Sequence, residues 1–242
     1  MQVGGRPAWL SEQCKSFASP ARPGPPPGLI RAPTSQRSKL RSAMQTCEYA
    51  GDPLTEPRSH PWQGAAADPN AHYYDLTALP ALIRSALEDF RPWRKYAAIE
   101  TFYALLERIN HRSSSLESND CAFTGPEPSA QPTASKAVEC SGRVTILFRA
   151  LARNTADGHV EQLKNQLHGE LAPYDPAFCS GIIGTTLVPA RYLALPEANG
   201  QQLGWQLLIS FWAWGDSEAD TMRNLARLLK NLSRALRKLS LG

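Results

Sequence analysis

The sequence predicts an α+β domain, with an antiparallel sheet of three to four strands and helices on one face, preceded by a helical hairpin and a disordered N-terminal tail. Three observations carry this. Apolar residues recur at spacings of three and four in four segments, they alternate or run continuously in three others, and residues 1–72 show neither pattern.

The tail comes first. About half of the twenty prolines fall in residues 1–72. The stretch "SPARPGPPPGLIRAPTSQRSKLRSAM" mixes Pro, Gly, Ser and Arg without an acidic residue. Such a segment buries too little apolar area to offset its ordering entropy. "PGPPPG" favours polyproline II and suits a proline-recognising partner. Met44 is an internal candidate start, so the tail also reads as translated upstream sequence from a GC-rich, bacterial-type genome. Residues 73–242 then form a single α+β domain, large enough for a core without staples.

"YYDLTALPALIRSALEDF" (73–90) carries Leu79, Leu82, Ile83, Ala86, Leu87 and Phe90 at helical spacing, with Asp75 or Thr77 as cap and Pro80 in the first turn. Pro92 breaks it. "WRKYAAIETFYALLERIN" (93–110) is a second helix with Tyr96, Ile99, Phe102, Tyr103, Leu106 and Ile109 on one stripe, and Asn110 as a left-handed C-terminal residue. Residues 116–123 read as a short strand or a structured loop. Residues 125–141 read as a mobile connection.

"RVTILFRALA" (143–152) alternates and is a half-buried strand, and "DGHVEQLKNQLHGEL" follows as a helix. "SGIIGTTLVPARYLAL" (180–195) is a strand whose Pro189 points to an edge or a bulge. "QLGWQLLISFWAW" is apolar on both faces and belongs in the middle of the sheet. Residues 217–239 form the last helix, with Ser217 and Asp220 as a capping pair and leucines at 225, 229, 232, 236 and 239. Acids at its start and bases at its end match the helix dipole.

Composition narrows function. Net charge is +4 and the pI about 8.9, a mild balance that does not mark a nucleic-acid binder. Five cysteines stand at wide spacings with no C-x-x-C, which argues against a zinc ribbon or redox motif and for a reducing, cytoplasmic setting. Cys121 and Cys179 read as small buried apolar residues. No signal-peptide core and no membrane-length apolar run is present. "SGIIGTT" lacks the lysine and following helix of a phosphate loop. No cofactor or metal is implied.

Two polar clusters remain. "HRSSSLESNDCAF" (111–123) gathers His111, Glu117, Asn119, Asp120 and Cys121 beside a helix end. In a regular strand Glu117 and Asp120 lie on opposite faces, which weakens an acid–base pair. Serines, Asn and Asp are also what a helix exit demands. The last helix carries Arg227, Arg234 and Arg237 opposite its leucines, a strip suited to nucleic acid or to an acidic partner. Trp212 and Trp214 fall on the strand face opposite Phe211.

The reading that follows is a non-enzymatic cytosolic protein-interaction domain of the neutraliser or accessory-factor type. It binds a protein partner through Glu117, Asn119, Asp120, Trp212 and Trp214. Two alternatives stand beside it: a metal-assisted hydrolase built on the His111–Asp120 cluster, and nucleic-acid binding through Arg227, Arg234 and Arg237.

Overall fold

The computed structural model describes residues 46–48, 58–61, 73–129, 136–171, 178–196 and 202–239. In chain order the elements are two short strands, β1 (Thr46–Glu48) and β2 (Arg58–His60), a single turn α1 (Leu82–Ser85) and a 3-10 segment (Glu88–Trp93). The helix α2 (Ala97–Ile109), strands β3 (Leu116–Pro128) and β4 (Val138–Phe148) and the turn α3 (Ala152–Thr155) follow. The chain then forms helix α4 (His159–Leu171), strands β5 (Gly181–Tyr192) and β6 (Leu203–Gly215), and helix α5 (Glu218–Leu239).

The α+β class stands, but the sheet is mixed rather than antiparallel. Its six strands run β1-β5-β6-β4-β3, with β2 also on β5. β1 and β2 pair parallel to β5, and the other pairs are antiparallel. β1 and β2 lie upstream of Tyr73, in the stretch read as tail. Three residues are too few to show a period, so only the tertiary pairing reveals them. The remainder of residues 1–72 lies outside the described residues.

β6 is central, as its two apolar faces require. β5 meets β1 at 183–185 and β2 at 190–192, so Pro189 falls in the interval where neither short strand pairs. The segment read as a short strand or a structured loop, 116–123, is the first part of a thirteen-residue strand. β3 and β4 together replace most of the connection read at 125–141; residues 130–135 lie outside the described residues.

The helical hairpin forms only in part. α2 is as the apolar stripe demands, with Ile99, Phe102, Leu106 and Ile109 buried. The first helix is broken up. Asp75 Oδ1 accepts the N–H groups of Thr77 and Ala78 at 3.0 and 2.9 Å, starting a turn. Pro80 then has no N–H to donate, and Leu87 is extended, at φ −80° and ψ 88°. The break lets Phe90 swing onto the core, stacked against Phe102 at 4.8 Å and Phe123 at 5.2 Å. Leu79, placed on the stripe by spacing, is exposed.

The main core lies between one face of the sheet and helices α2, α4 and α5. Val144, Ile146, Ile183, Ile209 and Phe211 meet Leu225, Leu228, Leu229, Leu232 and Leu236 there. A smaller cluster of Leu147, Ala190 and Tyr192 lies on the other face. Ser217 Oγ accepts the Asp220 N–H at 3.3 Å, while the Asp220 carboxylate reaches the Asp216 N–H at 3.1 Å, one residue earlier than in a capping box. None of the helices among the described residues is long and apolar enough to cross a membrane.

Leu229 sits 1% exposed at the centre of this contact. Leu229→Ala should lower unfolding free energy by about 3 kcal/mol through lost burial and a cavity. Lys230→Ala, one residue on and exposed, should change it by less than about 0.5 kcal/mol. Urea unfolding of the two variants beside the parent checks the contrast.

Candidate functional site

β3 does not run as a regular strand. Ser118 pairs with Ile146 and Asp120 with Thr145, so Asn119 is an extra residue, a β-bulge. The bulge resets the alternation. Glu117 pairs with Leu147 and Asp120 with Thr145, which places the two carboxylates on the same face. Cys121 and Phe123 return to the core face with Leu116. The opposite-face arrangement expected of a regular strand is thus corrected by one inserted residue.

The shared face is the one opposite the helical core. There Asn119 becomes the hub of a buried polar cluster. Its Oδ1 lies 3.0 Å from His60 Nδ1, and its Nδ2 donates to Gln206 Oε1 at 3.0 Å and to the Ser59 carbonyl at 3.3 Å. His60 Nε2 lies 3.1 Å from Glu117 Oε1, and Glu117 Oε2 lies 3.6 Å from Arg149 Nε. Arg149 also donates to the carbonyls of His111 and Arg112, both at 3.1 Å. It ties the end of α2, where carbonyls lack helical partners, to the start of β3.

Asn110 completes that junction, though not in a left-handed conformation, since its φ is −89°. Its amide donates to Leu106 O and Ser118 Oγ, and its Oδ1 accepts the Ser118 N–H at 3.0 Å.

His60 is packed between Tyr73, with ring centroids 6.1 Å apart, and Tyr192, at 5.9 Å. Burial works to lower its pKa, but the hydrogen bonds to Glu117 and Asn119 and the nearby Glu117 charge outweigh it. The net shift is upward from the usual histidine value. When the ring is protonated, both nitrogens donate, Nδ1 to Asn119 Oδ1 and Nε2 to Glu117 Oε1. Burial, with Asp75 and Glu117 nearby, pushes the Tyr73 phenol up to about 12, so it stays protonated. The cluster works as a latch: it holds β2 on the sheet and uses most of its polar atoms internally, with Gln206 Nε2 and Arg149 Nε left without a hydrogen bond.

The three residues of the hydrolase alternative have separate neighbours. His111 is exposed and its Nδ1 lies 2.7 Å from Ser113 Oγ, at the helix exit. Glu117 is held by His60 and Arg149, and Asp120 Oδ2 is 3.1 Å from Arg143 Nε. No group of three or more His, Cys, Asp and Glu that could hold a metal ion occurs among the described residues. Burial pushes the Cys121 and Cys140 thiols up to about 12, which keeps them from acting as thiolates near neutral pH. Cys179, read as buried, is exposed.

The remaining predicted residues separate into two surfaces. Trp212 pairs with Ser141 and Ile182, and Trp214 with Glu139. Both tryptophans are half-buried on the face that carries Asp120 and Arg143, while Phe211 is buried on the other. Arg227, Arg234 and Arg237 are exposed along α5, on the far side of the core from that face.

Sequence reasoning missed His60, Arg149 and Gln206. His60 sits in a strand too short to show a pattern. Gln206 did leave a signal, being a lone amide in an otherwise apolar strand, where a buried polar side chain needs a partner. Set against family models, curated proteins and solved structures, the chain matches none.

Asn119→Ala should cost about 2–3 kcal/mol, because it leaves His60 and Gln206 with buried unmet hydrogen-bonding atoms. Asp120→Ala, at a partly exposed ion pair, should cost under about 1 kcal/mol. Denaturant unfolding distinguishes the two. The raised His60 pKa fixes a sign for pH. Its contribution is fully present below the unfolded value of about 6.5, and is lost as pH rises through the higher folded value. The Leu193 N–H donates to His60 O at 2.9 Å. Hydrogen exchange at Leu193, corrected for intrinsic rate, should therefore show less protection at alkaline than at mildly acidic pH. His60→Gln should remove that dependence.

Proposed function

We propose that the protein is a non-enzymatic cytosolic protein-interaction domain, of the neutraliser or accessory-factor kind, that binds its partner with the second face of its sheet. One observation carries the reading. The helices of the core pack on one face, and the opposite face presents Trp212 and Trp214 half-buried beside Ile182, Arg143 and Asp120. Tryptophan and arginine are among the residues that most often anchor interfaces, tryptophan because it buries large area at small entropic cost and arginine because its planar fork pairs with carboxylates.

The internal use of the other polar groups supports the same reading. Glu117 and Asn119 act from beneath: they fix the path of β3 and so place Asp120 beside Arg143. They are positioning residues in this proposal, and Asp120, Trp212 and Trp214 make the contact. The basic strip of Arg227, Arg234 and Arg237 is a separate surface with its own chemistry.

The test uses the full chain and its Trp212→Ser/Trp214→Ser variant, with circular dichroism and thermal unfolding to confirm the fold. Partners captured from the source cell are identified and their affinities measured. Removing both anchors should weaken the principal partner by about 2 kcal/mol, roughly thirtyfold in Kd. A folded double variant that binds every partner as tightly as the parent would overturn the proposal.

A further inference from the structure

α5 carries a straight row of cations. Arg223, Arg227, Lys230, Arg234 and Arg237 follow one another at intervals of four and three, and all are exposed. Fourteen residues of helix span about 21 Å. Arg223 to Lys230 form the rim of a groove of about 300 Å³ between α5 and the start of α2. The floor is apolar and shallow, made of Ala97, Ala219, Met222 and Ala226, with Tyr96 beside it. Among the described residues, none of those that line it is acidic. The two acids nearest in the chain are already matched. Glu218 lies 3.2 Å from Lys95 Nζ and accepts from the Tyr96 hydroxyl, and Asp220 lies 3.6 Å from Arg223. Arg227 stacks over Phe178 at 4.9 Å, which holds its guanidinium at the rim.

A cation row beside an apolar floor selects one kind of occupant. Small side chains at 219 and 226 permit another helix backbone to approach closely. The row beside them matches carboxylates repeating at the same three- and four-residue spacing. A nucleic-acid backbone would meet the charges but gain nothing from the floor. We infer that this groove docks an acidic amphipathic helical segment of a protein partner, its apolar face on the alanines and its carboxylates along Arg223, Arg227 and Lys230. The inference rests on the protein-interaction reading but uses a surface separate from Trp212 and Trp214.

The experiment titrates the full chain with a labelled synthetic helix bearing Leu and Ala on one face and Glu on the other. A Lys-for-Glu version of that peptide and polyuridylate serve as competitors. The acidic peptide should bind with an affinity that falls as salt rises. Reversal of the rim, Arg223→Glu/Arg227→Glu/Lys230→Glu, should weaken it about tenfold. Ala219→Trp, at an exposed position that fills the floor, should also weaken it while leaving the rim charges in place. Trp212→Ser/Trp214→Ser should leave peptide binding unchanged, so the groove and the sheet face can fail independently. Equal binding of the acidic peptide by the folded rim-reversal variant would overturn the inference, as would equal binding of the Lys peptide. Displacement of the peptide by polyuridylate at lower concentration than by unlabelled peptide would replace it with a nucleic-acid site.

Discussion

One inserted residue governs the outer half of the sheet. The bulge at Asn119 breaks the two-residue alternation of β3, and the side chains from Asp120 to Thr124 change face relative to a regular strand, until a second register shift before Glu127 restores it. Phe123 reaches the core, where it stacks on Phe90. Asp120 comes round to the face of Glu117. The amide of Asn119, left outside the ladder, is turned to His60 and Gln206. Without the bulge, Phe123 would face away from the helices and Asp120 would sit among apolar side chains. The energetic asymmetry between burying an aromatic ring and burying an unpaired carboxylate enforces the insertion.

The cluster around Asn119 shows how charges are accommodated when a chain carries a buried histidine. Glu117 lies between His60 and Arg149, and each of those is anchored elsewhere, His60 by Asn119 and Arg149 by carbonyls at the end of α2. These contacts depend on one another, although Gln206 Nε2 and Arg149 Nε are buried without a hydrogen-bond partner. The arrangement links β2, β3, β6 and α2 across a sequence separation that no local interaction could bridge. It also shows where the densest polar stretch of the chain finds its partners. Its acids face cations of the same chain, and its histidine faces a serine.

In the proposed function, interaction falls to surfaces with less internal demand. The sheet face with Trp212 and Trp214 offers aromatic area, and the α5 groove offers charge beside a shallow apolar floor. The two differ in chemistry and lie on opposite sides of the core, so a partner can engage one without disturbing the other. Both rest on rigid elements, β6 and α5, held by the same leucine and aromatic core.

What was legible in the sequence was whatever repeats within one element. The stripes of α2 and α5, the central place of β6 and the alternation of β4 all follow from residues that meet one environment over several turns or pleats. The basic row of α5 was legible for the same reason. The first helix was not, because Pro80 and Pro92 let the chain break so that Phe90 could reach Phe102, a preference set by the core and not by local spacing. β1 and β2 were not, since three residues hold no period and their stability comes from pairing with β5. The candidate site depended on a single Asn displaced from the ladder and on a histidine fifty-nine residues before it. Periodicity in the sequence decides which face of an element is apolar. Only the tertiary structure decides which polar side chains from distant elements neutralise one another, because that depends on distances the chain order does not encode.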